Sequence, residues 1–180
     1  MDFCLTEEQA MFQTMVRDFA TNVVKPEAAK IDEEGKFPAE IFKKAAELGI
    51  FGISIDEKYG GSGMDYLSMT LCCEELSRAC AGLGTIFLAN LSLACYPIYK
   101  FGNEEQKKKY VTPIATGEKI CCFVLTEPGS CSDAASCETT ATRDGDDYII
   151  NGDKIFITNG AEASIAVVFA TEDKSKGAKG

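Results

Sequence analysis

The spacing of apolar side chains changes once along this chain, and that change constrains the fold more than any motif does. Up to residue 118 they recur every three or four positions, as in helices with one buried face; from Ile120 onward they alternate, as in strands. Helices followed by strands predict an α+β chain: an all-α domain over 1–118, then a β domain over 119–180. The second part is expected to be a truncated, antiparallel, barrel-like sheet. A sheet stopping there would leave bare edges in need of a partner.

Local signals divide the first part. Thr6-x-x-Gln9 is a capping-box pattern, with Phe12, Val16, Phe19 and Val23 following at helical spacing. Pro26 is expected to bend or restart that helix. Phe37-Pro38 opens a second helix with Ile41, Phe42, Ala45 and Leu48 on one face and Gly49 as its stop. Tyr59–Gly63 reads as a connector, since it lacks the spacing of a phosphate-cradling loop. Asp65 caps a third helix that turns Leu67, Leu71 and Leu76 inward. The nearly uncharged stretch 83–99 is expected to be buried on most sides, and shorter than a bilayer span. Asn103-x-x-Gln106 caps a helix carrying Lys107, Lys108 and Lys109, ended by Pro113 and Gly117. Beyond it, strands are predicted over 121–125, 139–143, 147–150, 154–158 and 164–171. Asp144-Gly145 and Asn151-Gly152 are hairpin-turn signals.

Composition excludes several classes. The net charge of −10 opposes a nucleic-acid backbone. The absence of His removes His-based triads and mixed Cys/His zinc sites, and no metal site is expected. The nine Cys form no C-x-x-C, and two pairs are adjacent (Cys72–Cys73, Cys121–Cys122), so most read as small buried hydrophobes in a reducing compartment. The acidic start at 1–9 lacks a secretory pattern.

Two places invite chemistry. The runs 121–126 and 154–158 each end in a Thr followed at once by a polar turn, placing the hydroxyls of Thr126 and Thr158 at strand ends. Strand alternation would point Phe156 the same way as Thr158. Such a surface suits a flat ligand rich in hydrogen-bonding groups.

These segments carry a resemblance. Leu5-Thr-Glu-Glu-Gln9, Tyr59-Gly-Gly-Ser-Gly63, Glu74-Glu-Leu-Ser-Arg78, residues 97–109, Leu125-Thr-Glu-Pro-Gly129 with Ser132-Asp133, and Asn151-Gly-x-Lys-x-Phe-Ile-Thr-Asn159 stand in the order found in acyl-CoA dehydrogenases. The chain resembles that family from end to end, with a short-chain, butyryl-type flavour. The resemblance implies a FAD enzyme that oxidises the α–β bond of an acyl-CoA: a Glu takes the α-proton, hydride passes to flavin N5, and electrons go on to an electron-transfer flavoprotein. It also implies a homo-oligomer (dimer or tetramer) at full length, in the cytoplasm or, after loss of a transit segment, the mitochondrial matrix. No nucleic-acid or membrane partner is expected.

Carried over by residue, the resemblance makes Phe123, Val124, Leu125, Thr126, Glu127, Pro128, Gly129, Ser130, Cys131 and Ser132 a first flavin loop. Thr126 would bond the ring edge, and Ser132 would meet FAD phosphate or the CoA side of the substrate. Phe156, Ile157 and Thr158 would form the second loop, Phe156 beside the ring where the family usually has Trp, and Thr158 facing N5. Cys131 replaces a customary Gly, which would be strained if the turn needs positive φ. No residue matches the family's catalytic Glu, which is expected in a C-terminal bundle absent from these 180 residues. The alternatives are an inactive interaction module on the same scaffold, or a relative acting as acyl-CoA oxidase or flavin monooxygenase.

Overall fold

The computed structural model describes residues 4–180; the first three residues, part of the acidic start, lie outside the described residues. Helix α1 (Glu7–Phe19) begins with the expected capping box between Thr6 and Gln9 and buries Val16 and Phe19. Around Pro26 the helix loosens into wider and tighter turns before α2 (Ala28–Glu34), which ends at Gly35 in left-handed backbone. Helix α3 (Ala39–Glu47) buries Ile41, Phe42 and Ala45. Leu48, expected on that face, follows the last turn and is exposed.

Helix α4 (Tyr66–Ala79) is capped by the Asp65 carboxylate and buries Leu71 and Leu76, but Leu67 points outward, contrary to expectation. The helix packs on α1 through a polar clasp. The buried Glu75 carboxylate accepts from Arg17 at 2.6 Å, Arg78 at 2.8 Å and Gln13 at 3.2 Å. The Arg17 hydrogen bond is the chief reason the Glu75 pKa falls below its usual value, against the opposing effect of burial. A lowered carboxylate pKa contributes stability that is complete above the unfolded value of about 4.3 and is lost as pH falls through the folded one. The melting temperature should therefore be level from pH 7 to about 5 and decline below about 4. Glu75→Gln should lower it by about 3 °C at pH 7 and flatten the acid decline, as read by calorimetry. An acid decline as steep in the variant as in the parent would contradict this.

Helix α5 (Ala81–Leu88) runs through the wide-turn segment Ala89–Cys95 into α6 (Tyr96–Phe101). This 21-residue helix is long and apolar enough, by length and composition, to cross a membrane, which corrects the shorter run expected above. Its composition has a local cause: Leu83, Phe87, Leu91, Ala94 and Cys95 lie in the core shared with α3, α4 and the 50–55 turn. Asn103 and Gln106 form a second capping box at α7 (Glu104–Gln106). The helix continues through Lys107–Val111 into α8 (Thr112–Ala115), so Pro113 sits within its final turn and does not end it. Gly117, in left-handed backbone, lies just past the stop. The 59–63 connector is fixed by packing, because a Cβ on Gly61 would stand 2.0 Å from the Ile55 carbonyl oxygen.

The β part departs from the expected antiparallel barrel. Strands β1 (Cys121–Val124) and β4 (Ile165–Val168) pair in parallel, with Cys121 opposite Ile165. Strands β2 (Thr140–Asp144) and β3 (Asp147–Asn151) form an antiparallel hairpin over Gly145, as its turn signal predicts. Among the described residues these two small sheets are joined only by a bridge between Thr140 and Thr171, and no barrel closes. Asn151-Gly152 makes no hairpin; Gly152 lies against Thr139, where a Cβ would clash. The stretch 154–158 is not a strand. Every residue of β3 is exposed, including Tyr148, Ile149 and Ile150.

Of the nine cysteines, Cys72, Cys95, Cys121 and Cys122 are buried, Cys73, Cys80 and Cys137 partly so, and Cys4 and Cys131 exposed. Burial pushes the Cys72 thiol well above its usual range and Cys95 and Cys121 up to about 12, so these three remain neutral packing groups.

Candidate functional site

The start of β1 is pinned from the helical side. The fully buried Asn90 carboxamide oxygen accepts from the Cys121 N–H at 2.7 Å. From that fixed point the strand delivers Leu125 and Thr126 to its open end. A tight turn follows, in which the Glu127 N–H donates to the Ser130 carbonyl at 2.8 Å and the Ser130 N–H returns to Glu127 at 3.3 Å. Ser130 donates its hydroxyl to the Asp133 carbonyl at 2.6 Å. Pro128, Gly129, Cys131 and Ser132 are exposed, while Phe123, Val124, Leu125 and Thr126 are half-buried. Phe123 packs its ring on Phe169 at 4.9 Å between centroids. Cys131 is not in left-handed backbone, so the strain expected from replacing Gly does not arise.

Glu127 differs from the rest of this loop. Its side chain turns inward and is 3% exposed. One carboxylate oxygen accepts from Lys154 at 2.8 Å, the Thr139 N–H at 2.9 Å and the Cys137 thiol at 3.2 Å; the other accepts from the Glu138 N–H at 2.6 Å. Burial would raise its pKa, but the Lys154 ammonium and the Thr139 and Glu138 N–H groups more than offset that and hold it far below the usual carboxylate range. The Glu127 and Ser130 side chains therefore build the loop from within and are not free for a ligand.

The second loop is an irregular segment. Phe156 and Asn159 both have left-handed backbone, at φ 56° and 67°, and they are the only non-Gly residues among those described to do so. This breaks the alternation that would have aligned Phe156 with Thr158. The Phe156 ring is 88% exposed. Such backbone in a bulky residue costs about 1–3 kcal/mol and persists only where its surroundings over-determine it. Both ends of the loop are tied. On one side, the Ile155 N–H donates to the Thr126 carbonyl at 3.0 Å and Lys154 donates to the Leu125 carbonyl at 2.9 Å. On the other, the Asn159 carboxamide donates to the Ile86 carbonyl at 3.2 Å and the Cys121 carbonyl at 3.4 Å.

The two predicted loops are thus brought together, and between these ties the hydrogen-bonding groups stay open. The N–H groups and hydroxyls of Thr126 and Thr158, and the N–H groups of Phe156 and Ile157, have no partner among the described residues. Ile157 and Thr158 also line a cleft of about 790 Å³ whose far wall is Ile31, Phe37 and Pro38 of the helical part. Thr126 and Phe156 lie outside that cleft. Sequence reasoning missed the anchoring roles of Lys154, Asn159 and Asn90. A lone Lys among apolar residues, opposite a lone Glu on the other loop, was the signal available for the first; nothing in the sequence marks Asn90.

Comparison with known proteins gives a consistent picture. Residues 6–118 match the family model of the acyl-CoA dehydrogenase N-terminal domain, and residues 122–180 that of the acyl-CoA dehydrogenase middle domain. A short-chain-specific acyl-CoA dehydrogenase of Clostridium acetobutylicum is 49% identical over 180 residues, which is all of this chain and 48% of the relative. A chain from a solved structure of the electron transferring flavoprotein of Acidaminococcus fermentans superposes with a TM-score of 0.95 at 48% identity, over 98% of this chain and 47% of that one. An acyl-CoA dehydrogenase of Bacillus anthracis, solved in complex with FAD, gives 0.86 at 41% identity, over 92% of this chain and 29% of that one. The chain spans about half the length of the curated relatives it matches.

Proposed function

Since this chain belongs to the acyl-CoA dehydrogenase family, we propose that its two loops hold FAD for the α,β-dehydrogenation of a short-chain acyl-CoA. The observation that carries this reading is the row of unpaired N–H and hydroxyl groups from Thr126, Phe156, Ile157 and Thr158, held beside an exposed aromatic ring. Those groups fit the group they would bind: a flat ring system with donors and acceptors on its rim and an apolar face. The likeness to a FAD-bound relative supports the cofactor, and the likeness to a short-chain-specific relative supports the acyl length.

FAD, when bound, takes up the two electrons removed from the Cα–Cβ bond. The chain's part is to bind and orient. Thr126 and Thr158 donate to the ring rim, Phe156 offers its ring face, and Pro128, Gly129, Cys131 and Ser132 line the approach, with Ser132 meeting phosphate or the CoA side of the substrate. Fixed donors that need no reorganisation favour a ring gaining electron density. Glu127, on the first loop, is not proposed as the base, because its carboxylate is already committed to internal partners. The division into units 1–118 and 119–180 is part of the same proposal, supported by separate family matches on either side. So are an electron-transfer flavoprotein as acceptor, a homo-oligomeric state at full length, and a cytoplasmic or mitochondrial-matrix setting.

The test is spectroscopic. The polypeptide that carries this chain should purify yellow and lose its flavin band anaerobically on addition of butyryl-CoA. A colourless protein that takes up no added FAD would overturn the cofactor reading. A yellow protein that stays yellow with every short acyl-CoA would favour the interaction module. Oxygen uptake without an added acceptor would favour the oxidase or monooxygenase alternative.

A further inference from the structure

We propose that Lys154 and Glu127 act as a buried clamp that sets the position of the two loops relative to each other, and so are positioning residues for the flavin, an inference that rests on the functional reading above. Lys154 Nζ, on a side chain only 10% exposed, joins three things at once: the Leu125 carbonyl at 2.9 Å, the Glu127 carboxylate at 2.8 Å and, more distantly, the Cys137 sulfur at 3.8 Å. Glu127 gathers the remaining strands of the arrangement, since it accepts from the N–H groups of Glu138 and Thr139 immediately before β2. The first loop, the second loop and the entry to the β2–β3 hairpin are therefore tied at a single ion pair.

The position of Lys154 in the chain gives the tie its consequence. It is followed by Ile155, whose N–H holds the Thr126 carbonyl, and then by Phe156 in left-handed backbone. The hydrogen bonds within the loop lie beyond Phe156, from Gly160 to the Ile157 carbonyl and from Glu162 and Ala163 to that of Asn159, so the conformation of Phe156 depends on what grips the loop at either end. Asn159 grips one end, on the helical side; Lys154 grips the other, on the first loop. Releasing Lys154 lets the Phe156 backbone relax and separates the Thr126 and Thr158 donors. Neither Lys154 nor Glu127 needs to touch the cofactor for this to happen.

A buried ion pair can also be purely architectural, and the two roles respond differently to an apolar exchange. Breaking such a pair on one side strands a charge and destabilises the fold, whereas replacing both partners with apolar groups of similar size is often neutral for stability. Three proteins would be compared with the parent: Lys154→Met, Glu127→Met and the double Met variant. Three measurements apply to each: the melting temperature, the FAD dissociation constant from flavin fluorescence, and amide hydrogen exchange over 154–163. The expected result is that each single variant melts earlier, while the double variant regains the parent melting temperature yet still holds FAD about tenfold more weakly and exchanges the Ile155 amide faster.

A double variant that recovers both stability and FAD affinity would overturn the clamp and leave an architectural pair. Unchanged exchange at Ile155 in all three variants would overturn it equally. A parent protein that takes up no FAD, with Ile155 exchange still accelerated in the variants, would instead reject the cofactor reading and retain the clamp as a property of the loops.

Discussion

Replacing Thr126 and Thr158 together by Val is expected to weaken FAD binding by roughly 30-fold, at about 1 kcal/mol for each hydroxyl. Val keeps the branched shape, and neither hydroxyl has a partner among the described residues, so no internal bond is lost. The melting temperature without cofactor should accordingly move by no more than about a degree. This separation makes the result diagnostic. Affinity unchanged in the double variant would mean that the hydroxyls face something other than the cofactor, and the functional reading would fall. A large drop in stability would mean that they are structural after all. The single variants should each show about fivefold weaker binding if the two act independently.

Phe51→Ala should have the largest effect on stability, a loss of about 4 kcal/mol measured as a lower urea midpoint at unchanged slope. The Phe51 ring is 1% exposed, stacks on Phe42 at 4.1 Å between centroids and lies 6.2 Å from Phe87. It sits on a rigid tight turn, Ile50–Gly52, and a Cβ on Gly117 would come within 3.3 Å of it, so the surroundings have little freedom to collapse into the space left behind. Domains of ordinary size are stable by about 5–15 kcal/mol, which makes such a loss a large fraction of the total. Phe51→Leu should cost less than half as much, because most of the volume is retained. A cost below about 1 kcal/mol for the Ala variant would show that the site repacks.

The helical part was largely legible in the sequence because its signals are local. The Thr6/Gln9 and Asn103/Gln106 boxes, the Asp65 cap and the stop at Gly49 each depend on residues within a turn of one another, and each forms where expected. Leu48 and Leu67 were misplaced because helical spacing alone does not say where the core ends. Pro113 is expected as a stop, but the helix that starts at Glu104 runs on past it to Ala115.

The β part was legible as strands and illegible as a sheet. Alternation located β1 to β4 within a few residues, yet the direction of a pair is decided by which distant segment arrives beside it, and β4 arrives parallel to β1. The 154–158 run shows a second limit. Its residues favour a strand, but the ties made by Lys154, Ile155 and Asn159 override that preference and turn Phe156 into left-handed backbone. The same tertiary contacts explain why Glu127 was read among the ligand-facing residues: nothing in Leu125-Thr-Glu-Pro-Gly129 tells that its carboxylate turns inward.

The parallel pairing of β1 with β4 also has a meaning in time. A ribosome releases the amino end first, so α1 to α8 can dock while β1 waits, held at Cys121 by Asn90, for a mate that emerges only after residue 164. Closing so long an excursion is entropically slow compared with winding a helix. Within these 180 residues the two loops therefore mature after the helical scaffold and do not guide its assembly.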